Sequence, residues 1–194
     1  MSRSGASILI RGGRIITASE DFIGDVLIEG EKISAVGTNL SSFATPGTDL
    51  IDADGLIVFP GGIDAHTHLD LPFMGTSSTD DFETGTIAAA AGGTTSIIDF
   101  AIQTQGKSLG EALNQWHEKA AGKAVIDYAF HMAVTDLNDR THAEIPGIIE
   151  GGITSFKCFM AYKGALMVDD GQLFRLMTTV KKLGGIVTLH AESA

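Results

Sequence analysis

The sequence predicts an α/β protein in two parts, a β-rich N-terminal portion over residues 1–59 and alternating strands and helices over residues 60–194. Before residue 60, short apolar runs alternate with turn residues, which is typical of hairpins. After it, apolar strands and amphipathic helices recur about every 30 residues, close to the length of one βα unit of a barrel. A pair of histidines at the end of the first of these strands indicates where such a fold would place its chemistry.

The N-terminal portion contains six strand-like runs. They begin at Ile8, Arg14, Asp25, Lys32, Leu50 and Leu56. Turn residues separate them, among them Gly12-Gly13, Glu29-Gly30-Glu31 and Asp54-Gly55. This alternation predicts antiparallel hairpins that form one layer of a small sandwich.

Five strands are expected after residue 60, near 63–68, 94–101, 125–134, 154–160 and 185–191. Several are apolar on both faces, as strands covered on both sides are. The period fits the first half of a barrel, although an open doubly wound sheet could also have five strands. No glycine-rich phosphate loop follows the first strand, which weakens the nucleotide-binding form of that alternative.

Four helices are expected between these strands. The first follows Ser77-Ser78-Thr79 and ends at Gly92-Gly93, and the second has an apolar stripe from Leu109 to Ala120. A weaker third helix should have Pro146 at or near its start, because proline is best tolerated in the first turn. The fourth should begin at Asp169-Asp170 and end at Gly184-Gly185.

Composition limits the classes of function. The chain has 194 residues and a net charge of -11, which argues against nucleic acid and anionic membranes as partners. The single cysteine, Cys158, fits a reducing compartment, and no signal-peptide core follows the N-terminus, so a cytoplasmic protein is expected. The most apolar window, Ile87 to Ile102, is interrupted by glycines and by Asp99, so it does not predict a membrane span.

The stretch GGIDAHTHLD, residues 61–70, carries the strongest chemical signal. His66 and His68 are two residues apart, so on a strand both rings project from the same face and can hold a divalent metal. Asp64 lies on the same face, where it could orient the histidine ligands. Two surface histidines are the simpler alternative. His131, in a later strand, is expected to be a buried, hydrogen-bonded histidine rather than a ligand.

Two further residues occupy equivalent positions in later strands. Lys157 stands in an otherwise apolar run, where an ammonium group is costly unless it is paired or neutralised. It could reach solvent, pair with an acid such as Asp99, or react with carbon dioxide to give a carbamate that bridges two cations. His190 ends the fifth strand and could be a metal ligand or a structural histidine.

Five ordered motifs resemble the dihydropyrimidinases and D-hydantoinases, the cyclic-amidohydrolase branch of the amidohydrolase superfamily. They are PGGIDAHTHLD from residue 60, DDFETGT from residue 80, AGGTTSIIDF from residue 91, SFKCFMAYKG from residue 155 and LHAE from residue 189. They extend over residues 60–192, and the N-terminal portion matches in pattern. The resemblance implies the N-terminal part of a (β/α)8 TIM-type barrel preceded by a small β-sandwich portion.

The resemblance also implies a site with two divalent metal ions, usually zinc. His66 and His68 would bind the more buried metal, Lys157 as N6-carboxylysine would bridge both, and His190 would bind the more exposed one. A metal-bridging hydroxide would attack the ring amide, and Tyr162 would donate a hydrogen bond to the resulting oxyanion. Tyr162 can reach the site only if the chain turns after the strand, which Lys163-Gly164 permits.

The implied substrate is a small cyclic amide or imide. Dihydroorotases resemble this pattern but typically carry an arginine after the histidine pair, where this chain has Leu69-Asp70-Leu71-Pro72-Phe73. An uncharged ring, a dihydropyrimidine or a 5-substituted hydantoin, is therefore expected. Phe73 and Phe159 are candidate pocket walls, with core packing as the simpler alternative for each.

Part of the family's site would lie beyond residue 194: a further histidine, and the aspartate that binds metal and shuttles the proton. The chain alone is therefore expected to have little or no hydrolase activity. Three hypotheses remain: the N-terminal part of a cyclic amidohydrolase, a non-catalytic dihydropyrimidinase-like interaction protein, and a truncated product whose open edge pairs with another chain. For a full-length protein the resemblance implies a homotetramer.

Overall fold

The computed structural model describes residues 7–73 and 75–192, except for the side chain of Phe73. The chain divides into two compact units, Met1–Pro60 and Gly61–Ala194. In the first unit the strands are β1 (Ser7–Ile16), β2 (Asp21–Glu29), β3 (Lys32–Gly37), β4 (Thr48–Asp52) and β5 (Ile57–Val58), with a 3₁₀ helix at Leu40–Phe43. They form one sheet in the order β3-β2-β1-β4, and β5 also pairs with β1.

The sheet of the first unit is mixed. The pairs β1–β2 and β2–β3 are antiparallel, as the hairpin pattern predicts. The prediction of antiparallel pairing is wrong for the last two strands, because β4 and β5 both run parallel to β1. The alternation of apolar and polar residues along a strand does not show whether the strand pairs parallel or antiparallel. The segment between Gly37 and Thr48 is long enough for the chain to return to the start of the sheet before β4 begins.

Gly12-Gly13 lies inside β1, where a turn was predicted, at a bulge in which Arg11 and Gly12 together oppose Asp25 of β2. The register with β2 shifts between Ile10 and Gly13. Gly12 has φ 73°, a left-handed conformation that favours glycine. The buried carboxylate of Asp25 accepts hydrogen bonds from the backbone N–H groups of Gly12 and Leu40, which stabilises the bulge from within.

The second unit begins with strand β6 (Gly62–Thr67) and a small hairpin of β7 (Pro72–Phe73) and β8 (Thr76–Ser77). Four helix–strand pairs follow: α1 (Phe82–Ala91) and β9 (Thr94–Ile102), α2 (Leu109–Ala120) and β10 (Asp127–Ala133), α3 (Asp139–Glu150) and β11 (Ser155–Phe159), α4 (Asp170–Lys182) and β12 (Ile186–His190). Its main sheet has the order β12-β11-β10-β9-β6, and all pairs are parallel. Strand order follows chain order without reversal, which is the topology of a barrel and differs from that of a doubly wound sheet.

Side-chain caps set the starts of the helices. Asp81, Ser108 and Asp169 each form a capping box at the start of α1, α2 and α4, and Asn138 caps α3. Helix α3 corrects one prediction, because Pro146 lies inside it. Proline costs a backbone hydrogen bond there, but Ile145 and Ile148 are buried on either side and pack into the core.

The core of the second unit lies between the sheet and its helices, and includes Phe82, Trp116, Phe130, Met132, Phe156, Leu176 and Val180. In the parts of the chain that the structure describes, no helix combines the length and apolarity needed to cross a membrane. Because its five strands are parallel, the main sheet of this unit has all five carboxyl ends at the same edge.

Candidate metal centre

The predicted ligand residues surround one cavity at the carboxyl ends of the strands. The cavity has a volume of about 190 Å³. Its walls include the two histidines at β6, Lys157 from β11, His190 from β12, and Tyr162 from the loop after β11; Phe100, Ile102, Ala133 and Phe159 complete them. Residues separated by more than 120 positions in the sequence therefore meet as the parallel topology requires.

The His66 and His68 rings project into this cavity from the same side of β6. Their centroids are 5.2 Å apart at an interplanar angle of 83°, and both pack on the buried ring of Phe100, at 4.7 and 5.0 Å. Partial desolvation lowers the pKa of His68 below its ordinary value; Asp99 opposes this shift, while His66 and Lys157 add to it. A lowered pKa favours the neutral imidazole, which is the form that binds metals.

The backbone between Asp64 and His68 is bulged. Asp64 pairs with Ile97 and Thr67 with Asp99, so Ala65 and His66 together oppose the single residue Ile98 of β9. The bulge frees the peptide group between Ala65 and His66 from the ladder, and side chains bind it at both ends. Asp64 Oδ1 accepts from the His66 N–H at 3.0 Å, and His131 Nε2 lies 3.0 Å from the Ala65 carbonyl oxygen.

Asp99, which the sequence suggested only as a possible partner of Lys157, binds the end of β6 instead. Its carboxylate is 1% exposed and accepts hydrogen bonds from the Thr67 hydroxyl, the Leu69 N–H and the Trp116 Nε1–H. Burial raises its pKa, and these hydrogen bonds oppose the shift. The signal available in the sequence was an aspartate in a run that is apolar on both faces.

Lys157 is buried, with 9% of its surface exposed. Within the described residues its amine forms no hydrogen bond or ion pair, and it lies 5.3 Å from the centroid of the Phe159 ring. Of the alternatives that the sequence left open, pairing with Asp99 is wrong, because the Asp99 oxygens bind the donors just described. The amine instead faces the cavity that the histidines line.

His190 and Tyr162 form the opposite wall. Strand β11 ends at Phe159, and Tyr162 adopts a left-handed backbone conformation with φ 66°. This turn brings the Tyr162 ring to 5.4 Å from the His190 ring. His190 Nε2 lies 2.9 Å from Glu192 Oε2, a contact that the sequence did not predict.

The donor set fits one part of a two-metal site. In residues 7–73 and 75–192, no three histidine, cysteine, aspartate or glutamate side chains lie close enough together to hold a metal ion. The cavity nevertheless combines three imidazole rings with the amine of Lys157, which has no hydrogen-bond partner among the described residues. Carboxylation of that amine would supply the anionic oxygens that the cluster lacks.

A second, more apolar cavity of about 320 Å³ adjoins the first and shares His68, Ile102, Phe159 and Tyr162 with it. Leu71, Pro72, Trp116 and Leu166 add to its apolar walls, and Gln103, Thr104 and Gln115 provide polar groups. None of its described lining residues carries a cationic side chain other than the histidine. The side chain of Phe73, a predicted wall, lies outside the described part of the structure.

Comparison with known proteins gives concordant matches. The amidohydrolase family profile matches residues 57–194. The D-hydantoinase of Geobacillus stearothermophilus is 52% identical over 95% of this chain and 39% of its own length, and the dihydropyrimidinase of Rattus norvegicus is 44% identical over 96% and 36%. The crystal structure of the dihydropyrimidinase from Brevibacillus agri superposes with a TM-score of 0.92 at 51% identity, over 97% of this chain and 40% of that one. The chain thus spans about two fifths of the length of the relatives it matches.

Proposed function

This chain belongs to the amidohydrolase family, and we propose that it is the N-terminal portion of an enzyme that hydrolyses the ring amide of dihydropyrimidines or 5-substituted hydantoins. The observation that carries the proposal is the convergence of His66, His68, Lys157 and His190 on one cavity at the strand ends. The names of the similar proteins, D-hydantoinase and dihydropyrimidinase, supply the substrate class.

Each of these residues has a role in the proposal. His66 and His68 would hold one divalent metal ion, His190 a second, and Lys157 as a carbamate would bind both. By family resemblance these ions would be zinc. Such a pair of ions would polarise a carbonyl group and activate water for attack. The Lys157 amine opens on the cavity without a hydrogen-bond partner among the described residues, so it is accessible to carbon dioxide there.

Tyr162 and the second cavity would act on the substrate itself. The Tyr162 hydroxyl would donate a hydrogen bond to the carbonyl oxygen as negative charge develops on it. The adjoining apolar cavity would accept the ring or its substituent, and the absence of arginine and lysine among its described lining residues fits an uncharged ring.

We propose further that the 194-residue chain is inactive alone, because it carries four of six expected metal ligands and no acid–base aspartate. The full-length protein would be a cytoplasmic homotetramer, by analogy with its relatives. The sheet of the second unit supports the first of these statements, because β6 and β12 are its two edges and the sheet is not closed.

A chimera tests the proposal. Residues 1–194 are joined to the remaining C-terminal part of the Geobacillus stearothermophilus D-hydantoinase, and ring opening of dihydrouracil and hydantoin is followed by chromatography. The chimera should be active with zinc, and its His190→Ala variant should lose more than about 100-fold in rate. The matched control is His117→Ala, a change of an exposed histidine on α2.

Two results would contradict the proposal. A folded, zinc-loaded chimera without activity on any cyclic amide would favour a non-catalytic relative. Enzyme-like hydrolysis of dihydrouracil by the 194-residue chain alone would show that the missing ligands are not needed.

A further inference from the structure

The peptide group that joins Ala65 to His66 is bound by the side chains of Asp64 and His131. A bulge in a parallel pair is uncommon, and bulges often serve to re-aim a side chain beside a functional site. Here the bulge consists of Ala65 and His66, so it includes the first histidine of the pair. Its freed carbonyl and N–H groups would cost free energy if they had no partner.

His131 fixes the carbonyl end of this peptide group. It lies on β10, separated from β6 by β9, and its ring packs on the Phe100 ring at 4.8 Å. His66 and His68 pack on the same ring. The Phe100 ring therefore lies between His131 and the histidine pair. His131 Nε2 still contacts the Ala65 carbonyl oxygen, at 3.0 Å.

The partners of His131 indicate its tautomer. A carbonyl oxygen only accepts, so Nε2 carries a proton. Nδ1 lies in hydrogen-bond contact with the hydroxyl of Ser155 on β11, which can donate to it. The ring is thus held at both nitrogens by groups from two other strands, an arrangement that fixes its orientation.

We propose that His131 and Asp64 are positioning residues for the histidine pair: together they set the plane of the Ala65–His66 peptide and thereby aim the His66 ring at the cavity. The effect on zinc binding rests on the proposed function, in which His66 is a metal ligand. The orientation of the His66 ring does not, because it can be measured in the chain without metal. A change of a few tenths of an ångström in this backbone would displace a ligand atom of His66 directly. We expect its effect on zinc affinity to be about 10- to 100-fold, as for other groups that orient ligands.

Paired substitutions in the full 194-residue chain separate the hydrogen bond from the bulk of the ring. His131→Phe keeps an aromatic ring against Phe100 but loses both polar contacts. His131→Gln places an amide N–H near the position of Nε2 and can still donate to Ala65. Asp64→Ala and Asp64→Asn form the corresponding pair at the N–H end, and His117→Phe controls for loss of an unrelated imidazole.

The first readout needs no metal. Long-range ¹H–¹⁵N spectra of the histidine rings should show His131 with the proton on Nε2, and the His66 ring signals should shift in His131→Phe and Asp64→Ala. His131→Gln, Asp64→Asn and His117→Phe should leave the His66 signals close to those of the wild type. Unchanged His66 signals in both disruptive variants, or a His131 proton on Nδ1 alone, would overturn the inference.

The second readout is zinc affinity, measured by competition with a chromogenic chelator. It should fall in the disruptive variants and recover in the conservative ones. If the wild-type chain binds no zinc, the proposed metal site fails, and the ring spectra still decide the inference. If His131→Phe does not fold, Ser155→Ala decides it, since loss of the Nδ1 partner should shift the His66 signals in the same direction, and no shift would overturn it.

Discussion

Asp99 Oδ2 accepts a hydrogen bond from the backbone N–H of Leu69 at 2.8 Å, one residue beyond the second histidine of the pair. The same oxygen accepts from the Thr67 hydroxyl at 2.9 Å, one residue before it. The carboxylate therefore holds both neighbours of His68 with one atom. Its other oxygen faces the Trp116 Nε1–H and the N–H of Phe100, so the end of β6 is tied to β9 and α2.

Asparagine at position 99 should be destabilising although it has nearly the same shape. Its single carbonyl oxygen can satisfy only one pair of donors, and its amide N–H₂ group would face the other pair. We expect Asp99→Asn to lower the free energy of unfolding by about 2–3 kcal/mol, the cost of buried donors without an acceptor. Urea denaturation followed by circular dichroism measures it.

The exposed Asp127 offers a matched control for this change. Asp127→Asn should alter the free energy of unfolding by less than about 0.5 kcal/mol. An Asp99→Asn variant as stable as this control would show that the hydrogen bonds at Asp99 contribute little.

Methionine at position 157 should raise stability and weaken metal binding in the same variant. Lys157 is 9% exposed, and its amine opens on the cavity without a hydrogen-bond partner among the described residues, so its partial desolvation costs about 1 kcal/mol. Lys157→Met keeps the length of the side chain and removes that cost, so the free energy of unfolding should rise by about this amount in bicarbonate-free buffer. Zinc affinity in bicarbonate buffer should fall, because no carbamate can form.

The control for this prediction is Lys32→Met, at an exposed position of β3. It should change neither property. A loss of stability in Lys157→Met would show that the amine has a stabilising partner, and unchanged zinc affinity would remove Lys157 from the proposed ligand set.

Much of the fold follows from local signals in the sequence. Asp81, Ser108 and Asp169 act as caps where the sequence places helix starts, and the apolar runs form the strands of the second unit. The sequence-based predictions were wrong where the local structure depends on residues far away in the chain. Gly12-Gly13 forms a bulge because Asp25 binds it, and Pro146 is tolerated within α3 because the residues beside it are buried.

The candidate site was predictable to the level of strand ends. Parallel topology brings His66, Lys157 and His190 together once each is assigned to the carboxyl end of a strand. The bulge at Ala65–His66 was not predictable, because register depends on how β6 meets β9 rather than on either sequence alone. His131 forms hydrogen bonds as expected but is only half-buried, and its partner Ala65 is 66 positions away.

Cys158 should be unreactive in the folded chain. It is fully buried, and burial raises its pKa to about 12, so that at pH 8 only about one thiol in 10⁴ is ionised. Since it is the only cysteine of the chain, a thiol assay with a disulfide reagent reports on this one site. We expect no reaction over minutes in native buffer and complete reaction in guanidinium. Rapid reaction of the native protein would place β11 in a region that opens easily.

His142 should make the stability of the chain depend on pH. It lies in the first half of α3, before the predicted helix start near Pro146, and it is half-buried, with Nε2 at 2.8 Å from the Thr179 hydroxyl of α4. Desolvation lowers its pKa below the ordinary value of 6.5, Arg175 lowers it further, and Asp139 opposes the shift. Below pH 6.5 the unfolded chain therefore binds the proton more readily than the folded one. The stability that His142 contributes is present above that pH and is lost as the pH falls through the folded-state pKa.

The glutamine variant isolates this effect because its side chain keeps a donor and an acceptor near Thr179 but does not titrate. Urea unfolding of wild type and His142→Gln at pH 8, 7, 6 and 5 gives the difference between their free energies of unfolding. The value at pH 8, where both histidine states are neutral, is the baseline, and the wild type should lose stability relative to the variant between pH 7 and pH 5. A difference that stays constant, or that moves in favour of the wild type on acidification, would mean that the α3–α4 contact does not disfavour the charged imidazole.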